Sequence, residues 1–251
     1  MKIVFDLDGT ICFSGRPLSP NMIQALEFLE SHGFNIVFAS ARPIRDLLPI
    51  LPVHMRHYPM VGGNGAFVAA EGKLISISPF DKETLEQLIP LIMKVEAEYL
   101  MDGRWDYAYS GEDTHLIRRN LDPEGKARNL PYDQLNEIVK MVVLRCLDSD
   151  QLHEELQKLP VVTYMHGSED IIDISPRGVS KWTGLQALGV RPQEFIAFGN
   201  DANDISMFQQ AIHSICVGEH PELGQMASEQ VMNVEELVIE KIRELASSRT
   251  L

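Results

Sequence analysis

Cysteine is scarce in this chain: there are three, Cys12, Cys146 and Cys216, odd in number and far apart. None of the close spacings that build a zinc site or a dithiol centre is present, so they read as reduced thiols of a cytoplasmic protein. Long apolar runs are missing too. Every hydrophobic stretch breaks off well short of the ~18 residues that a membrane helix needs. The N-terminal Met-Lys-Ile-Val-Phe turns acidic at Asp6 and so lacks the apolar segment of a secretory signal. Positive charge is the third shortage: 22 Lys and Arg stand against 36 Asp and Glu, a formal charge of −14. No local basic cluster offsets it, and an acidic chain repels polyphosphate at long range, which argues against a nucleic-acid partner. If the ligand is an anion, a local basic group or a metal ion must overcome that field.

What is present is ordinary for a folded protein. The 251 residues are 45% hydrophobic and 23% charged, enough apolar content for a sizeable core in one large domain or two smaller ones. Over the first eighty residues, short β-rich runs alternate with stretches of helical spacing, the rhythm of βαβ units. Ile3 to Phe5 and Asn35 to Ala39 read as buried strands. Ser19 with Pro20 opens a helix in which Met22, Ile23, Leu26 and Leu29 share a face, and Gly33 closes it. A short helix over Ile44 to Leu51, an extended piece at Met60 and Val61, and a hairpin of Phe67 to Ala70 with Leu74 to Ile77 follow.

From Asp81 the texture changes. Thr84 to Leu100 has a long helical pattern, and Trp105, Tyr107 and Tyr109 alternate like one face of a strand. A helix over Asp150 to Leu159 follows a strand over Val139 to Leu144, and Val161 to His166 pairs with Ile171 to Ile174. After Pro176 the first rhythm returns, with strands at Phe195 to Phe198 and Ser214 to Val217 and a closing helix over Glu235 to Ala246. The expected architecture is α/β: a core of residues 1–80 and 175–251, interrupted by an α+β insertion of residues 81–174. Two linkers would let such an insertion open and close over a site.

Ligands of open parallel sheets bind beyond the carboxyl ends of the strands, and four such places carry chemistry. In Asp6-Leu7-Asp8-Gly9-Thr10 the alternate carboxylates converge; they can share a cation, divide into acid and base, or simply form a polar turn. Ser40 follows the second strand, where its hydroxyl can meet an anion or begin a turn. Lys181 opens a helix; it is a surface charge unless it points at the acidic cluster, where it could hold a phosphate. In Gly199-Asn200-Asp201-Ala202-Asn203-Asp204 hard oxygen donors predominate, which suits Mg²⁺ or a capped helix start.

Taken together and in this order, these motifs resemble the haloacid dehalogenase-like hydrolases, over a span from Asp6 to Asp204. The insertion between Ser40 and Lys181, with Asn64-Gly65-Ala66 before it and Gly178-Val179-Ser180-Lys181 after it, is similar to the Cof-type branch. The resemblance implies a Rossmann-like parallel-sheet core with an inserted cap of C2B type. It implies a Mg²⁺-dependent phosphatase for a small phosphorylated metabolite such as a sugar phosphate, with Asp6 as nucleophile and Asp8 as acid and base. Ser40, Lys181 and Asn203 would hold the phosphoryl group, and Asp6, Asp8, Asn200 and Asp204 would form the metal region. Arg42, Asn64, His115, Arg118 and Arg119 are the candidates for contacts with the rest of the substrate.

Two positions depart from the family pattern. Its late loop begins Gly-Asp, where this chain has Asn200, and its Thr-Gly-Arg is here Ser40-Ala41-Arg42. The second change keeps the hydroxyl; the first replaces a carboxylate ligand by a neutral amide, which should weaken Mg²⁺ binding unless Asp201 or Asp204 takes over, while Asn200 can still donate one carbonyl oxygen. A phosphomutase and a phospho-metabolite-binding regulator without turnover are the alternatives. Retention of both Asp6 and Asp8 argues against the regulator.

Overall fold

A computed structural model of the chain describes residues 1–13, 15–166 and 171–247. It divides into two compact units, Met1–Ile75 with Ser180–Leu251, and Ser76–Val179. The second unit is wider at both ends than the expected 81–174. In chain order the strands are β1 (Lys2–Phe5), β2 (Asn35–Ala39), β3 (Met60–Gly62), β4 (Phe67–Ala70), β5 (Lys73–Ile77), β6 (Glu98–Asp102), β7 (Tyr107–Tyr109), β8 (Lys140–Arg145), β9 (Val161–His166), β10 (Ile171–Pro176), β11 (Phe195–Gly199), β12 (His213–Val217) and β13 (Glu229–Val231).

The first unit is built on a sheet ordered β13-β12-β11-β1-β2-β3-β4-β5. From β13 to β3 every neighbouring pair is parallel; β4 runs antiparallel to β3. Ile3, Val4 and Phe5 and the whole of Phe195–Phe198 are fully buried, the unbroken apolar run of strands covered on both faces. The helix Pro20–Ser31 starts where the sequence places it: Ser19 Oγ accepts a hydrogen bond from the Met22 N–H at 3.1 Å. Met207 and Phe208 pack in the core with Val4, Val37, Leu185 and Cys216. From β1 the chain winds outward through β2 and β3, whereas β11, β12 and β13 lead away on the other side. The winding reverses between β1 and β11, and such a reversal opens a crevice at the strand ends.

The second unit is a five-stranded antiparallel sheet, β7-β6-β8-β10-β9. The helices Lys82–Lys94 and Ser149–Leu156 cover one face, burying Leu88, Ile92, Leu152 and Leu156 against Met101, Met141, Val143 and Ile172. Leu100, Tyr107, Val142 and Leu144 line the opposite face. There Lys140 and Asp173, each nearly buried, form an ion pair at 2.7 Å.

Some elements differ from expectation. The helical pattern over Thr84 to Leu100 is two elements: the helix stops at Lys94, Glu96 takes a positive φ of 48°, and the chain returns as β6. Tyr99, Leu100 and Met101 fit a half-buried strand as well as a helix, and sheet pairing with β8 decides between them. Trp105 lies in the turn before β7, where its Nε1–H donates to the Lys126 carbonyl at 3.1 Å. The helices Leu116–Asn120 and Pro221–Met226 and the short strand β13 are additional. No helix among the described residues is long and apolar enough to cross a membrane, and Cys12, Cys146 and Cys216 are free thiols.

Candidate active site

The chemistry gathers at the β1/β11 reversal in the first unit. β1 delivers Asp6 to its carboxyl end, and the Asp6 N–H donates to the Phe198 carbonyl of β11 at 2.9 Å. The backbone then turns through Gly9, at a φ of 80°. An added Cβ there would meet the Asn200 amide at 2.2 Å, so only glycine lets the late loop lie this close. Thr10, folded back by this turn, is fully buried and donates from Oγ1 to Asp6 Oδ2 at 2.8 Å.

Lys181 arrives from the other end of the chain. Its helix, Lys181–Ala187, begins with a capping box between Ser180 and Thr183. The helix start packs against the Gly63–Gly65 turn, where Gly65 has a φ of 115° and a Cβ would lie 2.0 Å from the Ser180 carbonyl. This close approach carries Lys181, itself fully buried, onto two carboxylates: Nζ donates to Asp6 Oδ1 at 2.7 Å and to Asp204 Oδ1 at 2.6 Å. The remaining oxygen of Asp204 accepts the N–H groups of Asn200 at 2.9 Å and Asp201 at 3.1 Å. Asp204 therefore spends both oxygens on Lys181 and on shaping the loop, with Asn200 at the loop's leading edge.

One ammonium between two buried carboxylates cannot fully satisfy both. Burial pushes the Asp6 carboxyl up to about 7, opposed by Lys181 and reinforced by the charges of Asp204 and Asp8. Burial alone would discharge Lys181, but Asp204 and Asp6 outweigh it and hold the ammonium charged. Burial also pushes the neighbouring Cys12 thiol up to about 12, with Asp8 adding to it, which leaves it inert.

Asp8 is the exposed member of the pair, its side chain 43% accessible. Arg42 grips it with two hydrogen bonds, Nε to Oδ2 at 2.7 Å and a terminal nitrogen to Oδ1 at 2.6 Å. Arg42 is in turn fixed by its backbone, whose N–H donates to Ser40 Oγ at 3.1 Å and whose carbonyl accepts from Gly63. Ser40 is buried at the end of β2. Asn64, in the left-handed region at φ 57°, accepts at Oδ1 from Asn203 Nδ2 at 3.0 Å, and both side chains are buried.

The donor set for a hard cation lies between Asp6, Asp8 and Asn200. One terminal atom of the Asn200 carboxamide is 3.0 Å from Asp6 Oδ2, 3.2 Å from the Asp8 carbonyl and 3.2 Å from Thr10 Oγ1. A carboxylate oxygen, a main-chain carbonyl and a side-chain amide that can present oxygen are hard ligands of the kind Mg²⁺ takes. The residues present therefore fit the ion that the family pattern implies. No group of three or more Asp, Glu, His or Cys side chains arranged to hold a metal occurs among the described residues.

The roles of Thr10 and of the Arg42 grip on Asp8 emerge only in the structure. Thr10 stands one turn beyond Asp6, a spacing that could have revealed it; the Arg42 pair joins residues from two strand ends and has no local signal. In the second unit, His115 caps the helix Leu116–Asn120 through Nδ1, and Arg118 lies 5.9 Å from the Tyr109 ring centroid and 3.5 Å from Asp113. Arg119 is exposed.

A buried carboxylate facing a lysine at a strand-order reversal, with hard oxygen donors beside it, places a charged, cation-ready centre where α/β sheets bind ligands. The family model of the haloacid dehalogenase-like hydrolases matches residues 3–241, and the chain belongs to that family, in the Cof-type branch. It is 25% identical to the Bacillus subtilis 5-amino-6-(5-phospho-D-ribitylamino)uracil phosphatase YitU, over 92% of this chain and 90% of that protein. It is 26% identical to the HMP-PP phosphatase of Cronobacter sakazakii, over 85% and 82%. Among solved structures, a sugar phosphatase of HAD subclass IIB superposes with a TM-score of 0.80 at 16% identity, covering 97% of this chain and 98% of that one. These relatives are phosphatases, and the fold is that of a Rossmann-like core with a separate cap.

Proposed function

We propose that this chain is a Mg²⁺-dependent phosphatase of a small phosphorylated metabolite and works through an aspartyl-phosphate on Asp6. The observation that carries the reading is the setting of Asp6: buried, flanked by Lys181 on one oxygen, and turned with the other toward Thr10 and Asn200. Asp6, the Asp8 carbonyl and Asn200 would hold the ion, with Asp204 behind them. When bound, Mg²⁺ supplies the positive charge that keeps Asp6 ionised and screens it from an incoming phosphate.

In the first step an Asp6 oxygen attacks phosphorus and the bond to the leaving alcohol breaks. Asp8, protonated, gives its proton to the departing oxygen. In the second step water attacks phosphorus, Asp8 takes the water proton, and the bond to Asp6 breaks to release inorganic phosphate. Lys181, Ser40 and Asn203 support the phosphoryl oxygens as charge shifts among them. The Arg42 grip must loosen for Asp8 to reach the leaving group.

The relatives act on two different phosphorylated heterocycles and on a sugar phosphate, so the substrate class drawn from them is broad. The test is release of inorganic phosphate from phosphorylated sugars, nucleotides, phosphorylated pyrimidine intermediates and an aryl phosphate, with and without Mg²⁺. Metal-dependent release that disappears in Asp6→Asn supports the reading. Release that persists in Asp6→Asn, or none from any ester, contradicts it.

A further inference from the structure

With oxygen inward, the Asn200 carboxamide can accept only from Thr10 Oγ1, at 3.2 Å, and otherwise faces the acceptors Asp6 Oδ2 and the Asp8 carbonyl. Thr10 has a single hydroxyl proton for two acceptors, and Asp6 Oδ2 at 2.8 Å is nearer than Asn200 at 3.2 Å. With nitrogen inward, the same contacts become donations to Asp6 Oδ2 at 3.0 Å, to the Asp8 carbonyl at 3.2 Å and to Thr10 Oγ1 at 3.2 Å. A primary amide and a hard cation place opposite demands on one set of oxygens: the amide nitrogen supplies hydrogens to them, the cation needs a further oxygen from Asn200 itself.

We infer that Asn200 is a two-position residue: its NH₂ group occupies the acceptor cluster while no metal is bound, and the carboxamide turns over to present Oδ1 when Mg²⁺ enters. The inference rests on the phosphatase reading for the identity of the ion, but its mechanics concern this side chain alone. Gly9 makes room for either orientation, since anything larger at that position would strike the amide.

Charge explains what the amide achieves. With Asp6 ionised, Asp6, Asp8 and Asp204 face Lys181 and Arg42, so three carboxylates meet two cations and one negative charge remains. A carboxylate at position 200 would raise that to two and place like charges against Asp6 with nothing between them. The amide removes this repulsion, so the metal-free site needs no ion to hold its loop in place. The cost is a weaker hold on Mg²⁺, and the gain is a loaded site one charge more positive toward a phosphate dianion.

Three measurements starting from the metal-free protein, none involving a phosphate ester, test this. In a ¹⁵N-labelled sample the side-chain NH₂ signals of Asn200, assigned by their loss in Asn200→Asp, should exchange slowly with water in chelator and become fast on titration with Mg²⁺. Asn200→Asp should melt below the natural protein in chelator, gain more from millimolar Mg²⁺, and bind it roughly tenfold or more tightly by calorimetry, as expected for an added unit charge close to the ion. Freely exchanging Asn200 amide protons without metal, or an Asn200→Asp protein at least as stable as the natural one in chelator, overturn the inference. If that variant does not fold, assignment by Asn200→Ala leaves the exchange measurement decisive. A slowly exchanging, Mg²⁺-released amide in a protein that hydrolyses no ester would refute only the phosphatase reading. An active phosphatase with a freely exchanging amide would refute only this inference.

Discussion

Replacing Asp6 by Asn should abolish activity and at the same time stabilise the metal-free protein. The Asp6 carboxyl is 4% exposed and is raised from 3.8 to about 7, so its ionised form is harder to accommodate in the folded chain than in the unfolded one. At about 1.4 kcal/mol for each tenfold change, this difference corresponds to ~4 kcal/mol of folding stability at alkaline pH. The sign follows from the raised value. Below about pH 4 the group is protonated in both states and the substitution is neutral; the advantage of Asn grows as pH rises and levels off above about 7. The amide forms a weaker bond with Lys181 than a carboxylate does, so a net gain of about 2–4 kcal/mol is expected at pH 8. For a chain of this size, that is a melting-temperature rise on the order of 5–15 °C. Thermal melts of both proteins in chelator at several pH values between about 4 and 8 measure it, and millimolar Mg²⁺ should narrow the gap by stabilising only the natural protein. An Asp6→Asn protein that melts no higher at pH 8, or a gap that does not change with pH, would show that burial does not burden Asp6 as argued.

Lys181→Met leaves Asp6 and Asp204 buried without their ammonium and should cost roughly 3–5 kcal/mol in denaturant titrations; a protein of natural stability would contradict the ion-pair geometry. Gly65→Ala puts a Cβ against the Ser180 carbonyl and shifts the start of the Lys181 helix, so turnover should drop on the order of a hundredfold while circular dichroism is unchanged. Asp8→Asn should slow alkyl esters by ~10²–10⁴-fold but an aryl phosphate far less in the first step, because a good leaving group needs no proton; equal losses in single-turnover phosphorylation would remove Asp8 from the acid role.

Much of the first unit was legible because its signals are local. Ser19-Pro20 marks a helix start by capping chemistry, and the apolar runs at Val4 and Ala197 mark strands buried on both faces. The convergence of Asp6, Lys181 and Asp204 could be anticipated from strand-end positions and the order of motifs. What each atom of Asp204 does could not, because its second oxygen is consumed by backbone N–H groups of its own loop. The Arg42 grip on Asp8 and the Asn64–Asn203 bond were hidden for a related reason: their partners lie 34 and 139 residues apart. In the second unit, Tyr99-Leu100-Met101 suits helix and strand alike, and only pairing with β8 distinguishes them.

The contact between Asp6 and Lys181 spans 175 residues of chain, and the whole Ser76–Val179 unit is strung between them. During synthesis Asp6 emerges early and waits for its lysine until the intervening unit has been made, so a nascent or truncated chain ending before residue 181 lacks the Asp6–Lys181 pair. Closing that long loop costs only slightly more as it lengthens, about 0.6 kcal/mol per doubling. The charge cluster is thus nearly indifferent to how much polypeptide is inserted, and the inserted unit can be rewritten or resized while the cluster that needs it least stays as it is.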